Sequence, residues 1–131
     1  MPGKVAWGVL LALIAGCDER ERLVFGTDPD DRIGPATRID PPSKDTTLTE
    51  GDRFVLGARA VDPSGVDTVF IEVEGAALSY PPLDAEGADT LNLAINVPTI
   101  GFSGQTITVG VFGVDVIGNV GPTVSRRLTI Q

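Results

Sequence analysis

The sequence predicts an all-β chain, an antiparallel β-sandwich of about seven strands, and three observations carry that expectation. From residue 36 onward apolar and polar side chains alternate with a period of two, the pattern of strands half-buried on a sheet. Turn formers are dense, with 16 Gly and 10 Pro among 131 residues, and they recur at the spacing of about 8–12 residues expected of sandwiches. No stretch carries an apolar stripe at helical spacing. A hydrophobic content of 42% supports a packed core rather than disorder.

The elements follow in order. Residues 37–40 form a first strand, which Pro41-Pro42 breaks at a sheet edge. Residues 46–49 continue it on the other sheet. Phe54, Leu56, Ala58 and Ala60 then alternate with Val55, Gly57, Arg59 and Val61. Val69, Ile71 and Val73 alternate with Phe70, Glu72 and Glu74, a strand with its acids outward. Residues 76–87 are irregular. Leu91, Leu93, Ile95 and Val97 make the next apolar face, and Ile107, Val109 and Val111 lead a strand to Asp115. Val124, Leu128 and Ile130 define the last strand, although Arg126 shares their parity. The expected core centre is Phe54, Leu56, Ile71, Leu93, Ile95, Val109 and Val111. Arg59 is expected to pair with a Glu across the sheet.

Particular stretches point to a family. Glu50-Gly51-Asp52 leads into Phe54-Val55-Leu56, and Ala60-Val61-Asp62-Pro63-Ser64-Gly65-Val66 is followed by Val69-Phe70-Ile71-Glu72-Val73. With Val114-Asp115-Val116-Ile117-Gly118-Asn119 before the last strand, this resembles a bacterial Ig-like domain over residues 36–131. The cysteine pair and core Trp of antibody domains are missing, so the resemblance implies a bacterial-type sandwich. Fibronectin-III-like and cadherin-like sandwiches are its near neighbours.

The N-terminus reads as an address. Lys4 precedes an uncharged, largely apolar run over residues 5–16. Twelve residues are too short to cross a bilayer, which takes about 20, but they fit the apolar region of a signal peptide. The run ends in Leu13-Ile14-Ala15-Gly16-Cys17, which resembles a bacterial lipobox. That resemblance implies cleavage between Gly16 and Cys17 and a covalent lipid, with palmitate-type acyl chains, on the Cys17 thiol. One acyl chain holds a membrane only marginally, and mature bacterial lipoproteins carry two or three. Residues 1–16 are thus the expected signal peptide. Residues 17–35 are the expected acidic stalk, rich in charge from Asp18 to Arg32 and unable to bury enough apolar surface to offset ordering. Its Leu23-Val24-Phe25 patch is either incidental or a short partner-binding motif.

Composition excludes several chemistries. Lys and Arg number 10 against 18 Asp and Glu, for a net charge of −8, which argues against nucleic acid. The chain has no His, so it has no Ser-His-Asp triad and no His-based zinc site. One Cys permits no internal disulfide. Two turns look alike, Asp62-Pro63-Ser64-Gly65 and Asp115-Val116-Ile117-Gly118. In each, the carboxylate can accept backbone N–H groups while Gly takes a positive φ. The alternative is Ca²⁺ on Asp62, Asp67, Asp115 and Asn119, although Ca²⁺ wants six to eight oxygens. Glu72 and Glu74 share an outward face, as solvated residues do. Tyr80-Pro81-Pro82 is the most exposed-looking aromatic loop, either a rigid turn or a binding loop.

These readings combine into a non-enzymatic chain without a cofactor, lipid-anchored in the bacterial cell envelope. It serves as an interaction or adhesion module for an envelope protein or a glycan. The alternatives are a structural spacer or assembly component, and a carbohydrate-binding accessory domain. A long unpaired edge strand favours the first, and an evenly charged surface the second. A concave groove of convergent aromatics favours the third.

Overall fold

The structure is a computed structural model that describes residues 32–131. The signal peptide, the lipidation site Cys17 and the acidic segment as far as Asp31 lie outside the described residues. Eight strands follow in order: β1 (Ala36–Ile39), β2 (Thr46–Leu48), β3 (Phe54–Val61), β4 (Val66–Glu74), β5 (Leu83–Asp84), β6 (Thr90–Val97), β7 (Thr106–Asp115) and β8 (Val124–Ile130). No helix occurs among the described residues. The chain is a sandwich of a three-stranded sheet, β1-β3-β6, and a five-stranded sheet, β2-β8-β7-β4-β5. Pairing is antiparallel except between β2 and β8.

The period-2 pattern becomes one core between the sheets. Ile39, Leu56, Val66, Val69, Ile107, Val109, Val111, Leu128 and Ile130 are buried there. Leu56, Ile95, Val109 and Val111 stand at the centre as expected. Phe54, Ile71 and Leu93 are only partly buried. Leu93 lies on an edge strand. Ile71 lies beyond β5, which covers β4 only at Thr68 and Val69.

The first strand does change sheets. β1 pairs with β3 and β2 with β8, and the Asp40-Pro41-Pro42 segment between them cannot supply a full ladder because proline has no N–H. Arg126 resolves the uneven parity of the last strand. Its Nε donates to Pro42 O at 2.9 Å and its Nη2 to Ile39 O at 3.0 Å. An inward-facing arginine therefore satisfies the carbonyls left where the chain leaves one sheet for the other. Its neighbour Arg127 points outward, and its backbone N–H donates to Asp45 Oδ1 at 2.9 Å. That carboxylate stands in for a strand partner one residue before β2 begins.

The folded part extends slightly upstream of β1. Pro35 is fully buried and packs onto Gly113 and Gly121, where a Cβ would collide with it. An eighth, two-residue strand, β5, lies within the stretch expected to be irregular.

Candidate interaction surface

The two Asp turns sit side by side at one end of the sandwich, joined where Val116 N–H donates to Gly65 O at 3.1 Å. Both aspartates are buried, at 3% exposure for Asp62 and 1% for Asp115. Asp115 Oδ1 accepts from the N–H groups of Ile117 at 3.0 Å and Asn119 at 2.8 Å, and its Oδ2 accepts from Asn119 Nδ2 at 2.9 Å. Burial by itself would raise this carboxyl's pKa. The donors from Asn119, Ile117 and Gly118 outweigh it and hold the pKa below the ordinary value. Asp62 Oδ1 accepts from Ser64 N–H at 2.8 Å. Gly65 and Gly118 close the turns at φ of 104° and 99°, where L side chains are strained.

Asp67 is exposed, with its Oδ2 accepting from Thr68 Oγ1 at 3.0 Å. No three His, Cys, Asp or Glu side chains gather to hold a metal ion among the described residues. The carboxylate of Asp115 answers N–H donors of its own turn.

Tyr80 is half-buried, not displayed. It packs against the core with Ala76, Leu78 and Leu83, while Pro81 and Pro82 are exposed. Burial raises the pKa of its hydroxyl, which donates to Asn96 O at 2.6 Å. That bond ends on β6, the strand that sequence reasoning did not single out.

The register shows what β6 presents. Gly57 N–H donates to Pro41 O at 2.8 Å, and Gly57 O accepts from Asp40 N–H at 2.9 Å. Both peptide groups of Gly57 therefore face away from β6. Ala94 stands directly opposite Gly57, so this is a pair that exchanges no hydrogen bonds, and Ala94 turns its own N–H and C=O outward. The two-residue alternation gives Asn92 and Asn96 the same orientation, and the Tyr80 bond to Asn96 O agrees with it.

β6 runs for eight residues, TLNLAINV, with no charge and no proline. The other sheet edges are shorter: four residues in β1, three in β2 and two in β5. Long edges are usually blunted by charge, proline or a bulge. Here the protection is the Tyr80 hydroxyl at one carbonyl.

The outer face beside this edge is unlike the rest of an acidic chain. β1, β3 and β6 contain no Asp or Glu. Arg38 lies directly opposite Arg59, and Arg59 directly opposite Asn92, a row of three donors across the sheet. The Glu partner expected for Arg59 is not there, because no acid occupies any strand of its sheet. Arg38 reaches Asp40 at 3.8 Å, with both side chains exposed, a contact worth little. Asp40 and Pro41 lie over Gly57, where a Cβ would meet Asp40 O at 2.7 Å, and the cleft beside them, lined by Arg38, Asp40, Arg59 and Asn92, has a volume of about 400 Å³. A neighbouring cleft of about 500 Å³, lined by Asp52, Arg53, Val55, Asn96 and Ile100, continues along the same face.

No family model and no curated protein matches the sequence. Solved structures are similar in fold. The SrpA adhesin from Streptococcus sanguinis gives a TM-score of 0.49 at 15% identity, over 77% of this chain and 58% of that one. A mutant of the same adhesin gives 0.48 at 16% identity, over 77% and 57%. The fibronectin(III)-like modules of Clostridium thermocellum CbhA give 0.46 at 9% identity, over 73% of this chain and 96% of that one. The chain thus spans a little over half the length of the adhesin chains it resembles.

Proposed function

We propose that this protein is a membrane-tethered, non-catalytic interaction module of the bacterial cell envelope. In this reading Cys17 carries the lipid and the acidic residues after it give reach. The sandwich binds a partner polypeptide by adding its strand to β6. The observation that carries the reading is the uncharged eight-residue edge with the N–H and C=O groups of Asn92 and Ala94 turned outward. Such a row is a template for main-chain hydrogen bonding to an extended segment. A spacer has no need of a long edge left without charge or proline, and β6 is such an edge. The anchor rests on Leu13-Ile14-Ala15-Gly16-Cys17 and the uncharged run before it.

The test is site-specific photo-crosslinking in cells from position 92, with Cys17→Ser and Ala94→Pro as controls. The expected result is a discrete partner that disappears with Ala94→Pro, together with release of Cys17→Ser to the soluble fraction. Crosslinks that survive Ala94→Pro would overturn the edge as the binding site. Membrane retention of Cys17→Ser would overturn the anchor.

A further inference from the structure

Taking the β6 edge as the docking site, we propose that the strand it captures is acidic: an extended segment of a partner protein with Asp or Glu at alternate positions, one carboxylate seated on Arg59. The inference rests on charge placement. In a chain of net charge −8, the three strands that own the open edge hold Arg38 and Arg59 and no acid; the acid nearest them, Asp40, follows β1 and lies beside Arg38. Like charges directly opposite each other on a sheet are destabilising, yet Arg38 and Arg59 are such a pair. Arg38 has Asp40 to turn to. Arg59 stands directly beside Asn92 of the edge strand.

The geometry suits a carboxylate. Neighbouring strands lie about 4.8 Å apart, so a strand added to β6 would run about 10 Å from the β3 backbone. An extended arginine and a glutamate span that gap together, and on the edge strand the small side chain of Ala94 beside Asn92 puts nothing bulky in the way. On an added strand every second side chain faces the same side as Arg59, hence the alternate spacing of the acids. Guanidinium pairs with carboxylate in a two-point fork, which gives orientation as well as attraction. The acids Glu72 and Glu74 lie on the outer face of the opposite sheet. Sheets stack about 10 Å apart, and charges separated by more than about 8 Å are largely screened at physiological salt. A second copy of this chain fits poorly as occupant, because its β6 brings no acid to meet Arg59.

The test selects randomised octapeptides, displayed on phage, against the full chain in neutral detergent. Arg59→Glu, Arg59→Gln and Ala94→Pro are run in parallel. Ala94→Pro removes an outward N–H and leaves the β3–β6 hydrogen bonds in place, so it reports on strand addition alone. The expected result is recovery of peptides with alternate Asp or Glu. They should bind Arg59→Gln about tenfold more weakly, as loss of a charge-assisted contact implies, and Arg59→Glu not measurably. Binding should also be lost with Ala94→Pro. Peptides that need an intact Ala94 but show no acid preference, or ignore Arg59→Glu, would overturn the acidic-strand inference while leaving the edge in place. Peptides indifferent to Ala94→Pro, or none recovered above that variant, would overturn the edge itself. A dimer seen by analytical ultracentrifugation and abolished by Ala94→Pro would make the occupant a second copy and overturn the acidic strand.

Discussion

The two sheets of this sandwich share one core but present opposite outer faces. The five-stranded sheet carries Glu72 and Glu74 on β4, directly across from Gly110 and Thr108 of β7. Beside them Phe70 and Phe112 stack with ring centroids 5.1 Å apart. Its edges are the two shortest strands, β2 and β5. The three-stranded sheet carries arginine, asparagine and alanine and ends on the longest edge. An acidic, aromatic-braced face with stubby edges suits a solvent wall. A face whose strands carry arginine and no acid, with an open edge, suits contact. The difference teaches that net charge describes neither face: −8 is a sum over the whole chain, whereas one face sets Asp40 beside Arg38 and Arg59 and the other sets Arg127 across from Thr108 and Glu74.

The comparison is most severely tested where the five-stranded sheet is tied at its end. Asp115→Ala leaves the N–H groups of Ile117 and Asn119 without their acceptor. Each abandoned donor costs about 1–3 kcal/mol, so the variant should lose about 3 kcal/mol by urea denaturation. The wild type also carries a pH signature here. A carboxyl whose folded pKa lies below its unfolded value of about 4 contributes stability fully above that value. The contribution is lost as pH falls through the folded pKa. Wild-type stability should therefore drop on acidification below about pH 4, and Asp115→Asn should be less stable near neutrality with a shallower acid limb. A wild-type acid limb unchanged by Asp115→Asn would break the assignment.

The next effect falls where the sheets are joined. Arg126→Met keeps the apolar stem but removes the donors to Ile39 O and Pro42 O. The expected loss is about 2 kcal/mol, or a fall in Tm of roughly 8–16 °C for a domain this size. Hydrogen exchange should show β1 and β2 opening first. A Tm within two degrees or so of wild type would mean that water replaces the guanidinium at that junction.

These two residues also mark how far the sequence could be read. Alternation gave the strands, their inward faces and the sheet change at Pro41-Pro42, because burial on one side of a sheet writes itself into every second residue. The Asp turns were legible as turns because Asp and Gly at fixed spacing have a local reason to be there. Arg126 was visible only as an irregularity in its strand. Its partners lie 84 and 87 residues away, and nothing local predicts them. The open edge was illegible for the same reason. Alternation says that residues 90–97 form a strand but not which strand lies next to it, and an edge is a fact about neighbours. Tyr80 could be read from its Pro-rich setting either as a rigid turn or as a binding loop, because local sequence does not say that the ring packs against the core.

Tyr80→Phe sharpens the comparison at the edge itself. It removes one hydrogen bond, to Asn96 O, and should cost about 1 kcal/mol. The variant should also lose part of the destabilisation expected of the wild type above about pH 10. Burial raises the folded pKa of this hydroxyl, so its contribution is full below the unfolded value of about 10 and is lost above it. Freeing Asn96 O adds an acceptor to the edge, so strand capture by β6 should strengthen even as the fold weakens. Weaker capture would mean that the Tyr80 side chain is part of the docking surface and not merely a cover.

The smallest change in stability has the opposite sign. Arg59→Glu replaces a like-charge pair opposite Arg38 with an attractive one. Directly opposed charges on a sheet are worth about 0.2–1 kcal/mol, so this variant should be more stable than wild type by about 0.5 kcal/mol. The gain should shrink in high salt. A matching change on the other face, Glu72→Lys, gives no such gain, because the residue opposite it is Gly110. A stability gain from Arg59→Glu accompanied by loss of strand capture would show that the arginine is held in place against folding stability, as a binding residue is. A loss of stability would show instead that Arg59 is supported by its surroundings, and the contrast between the two faces would then be one of composition alone.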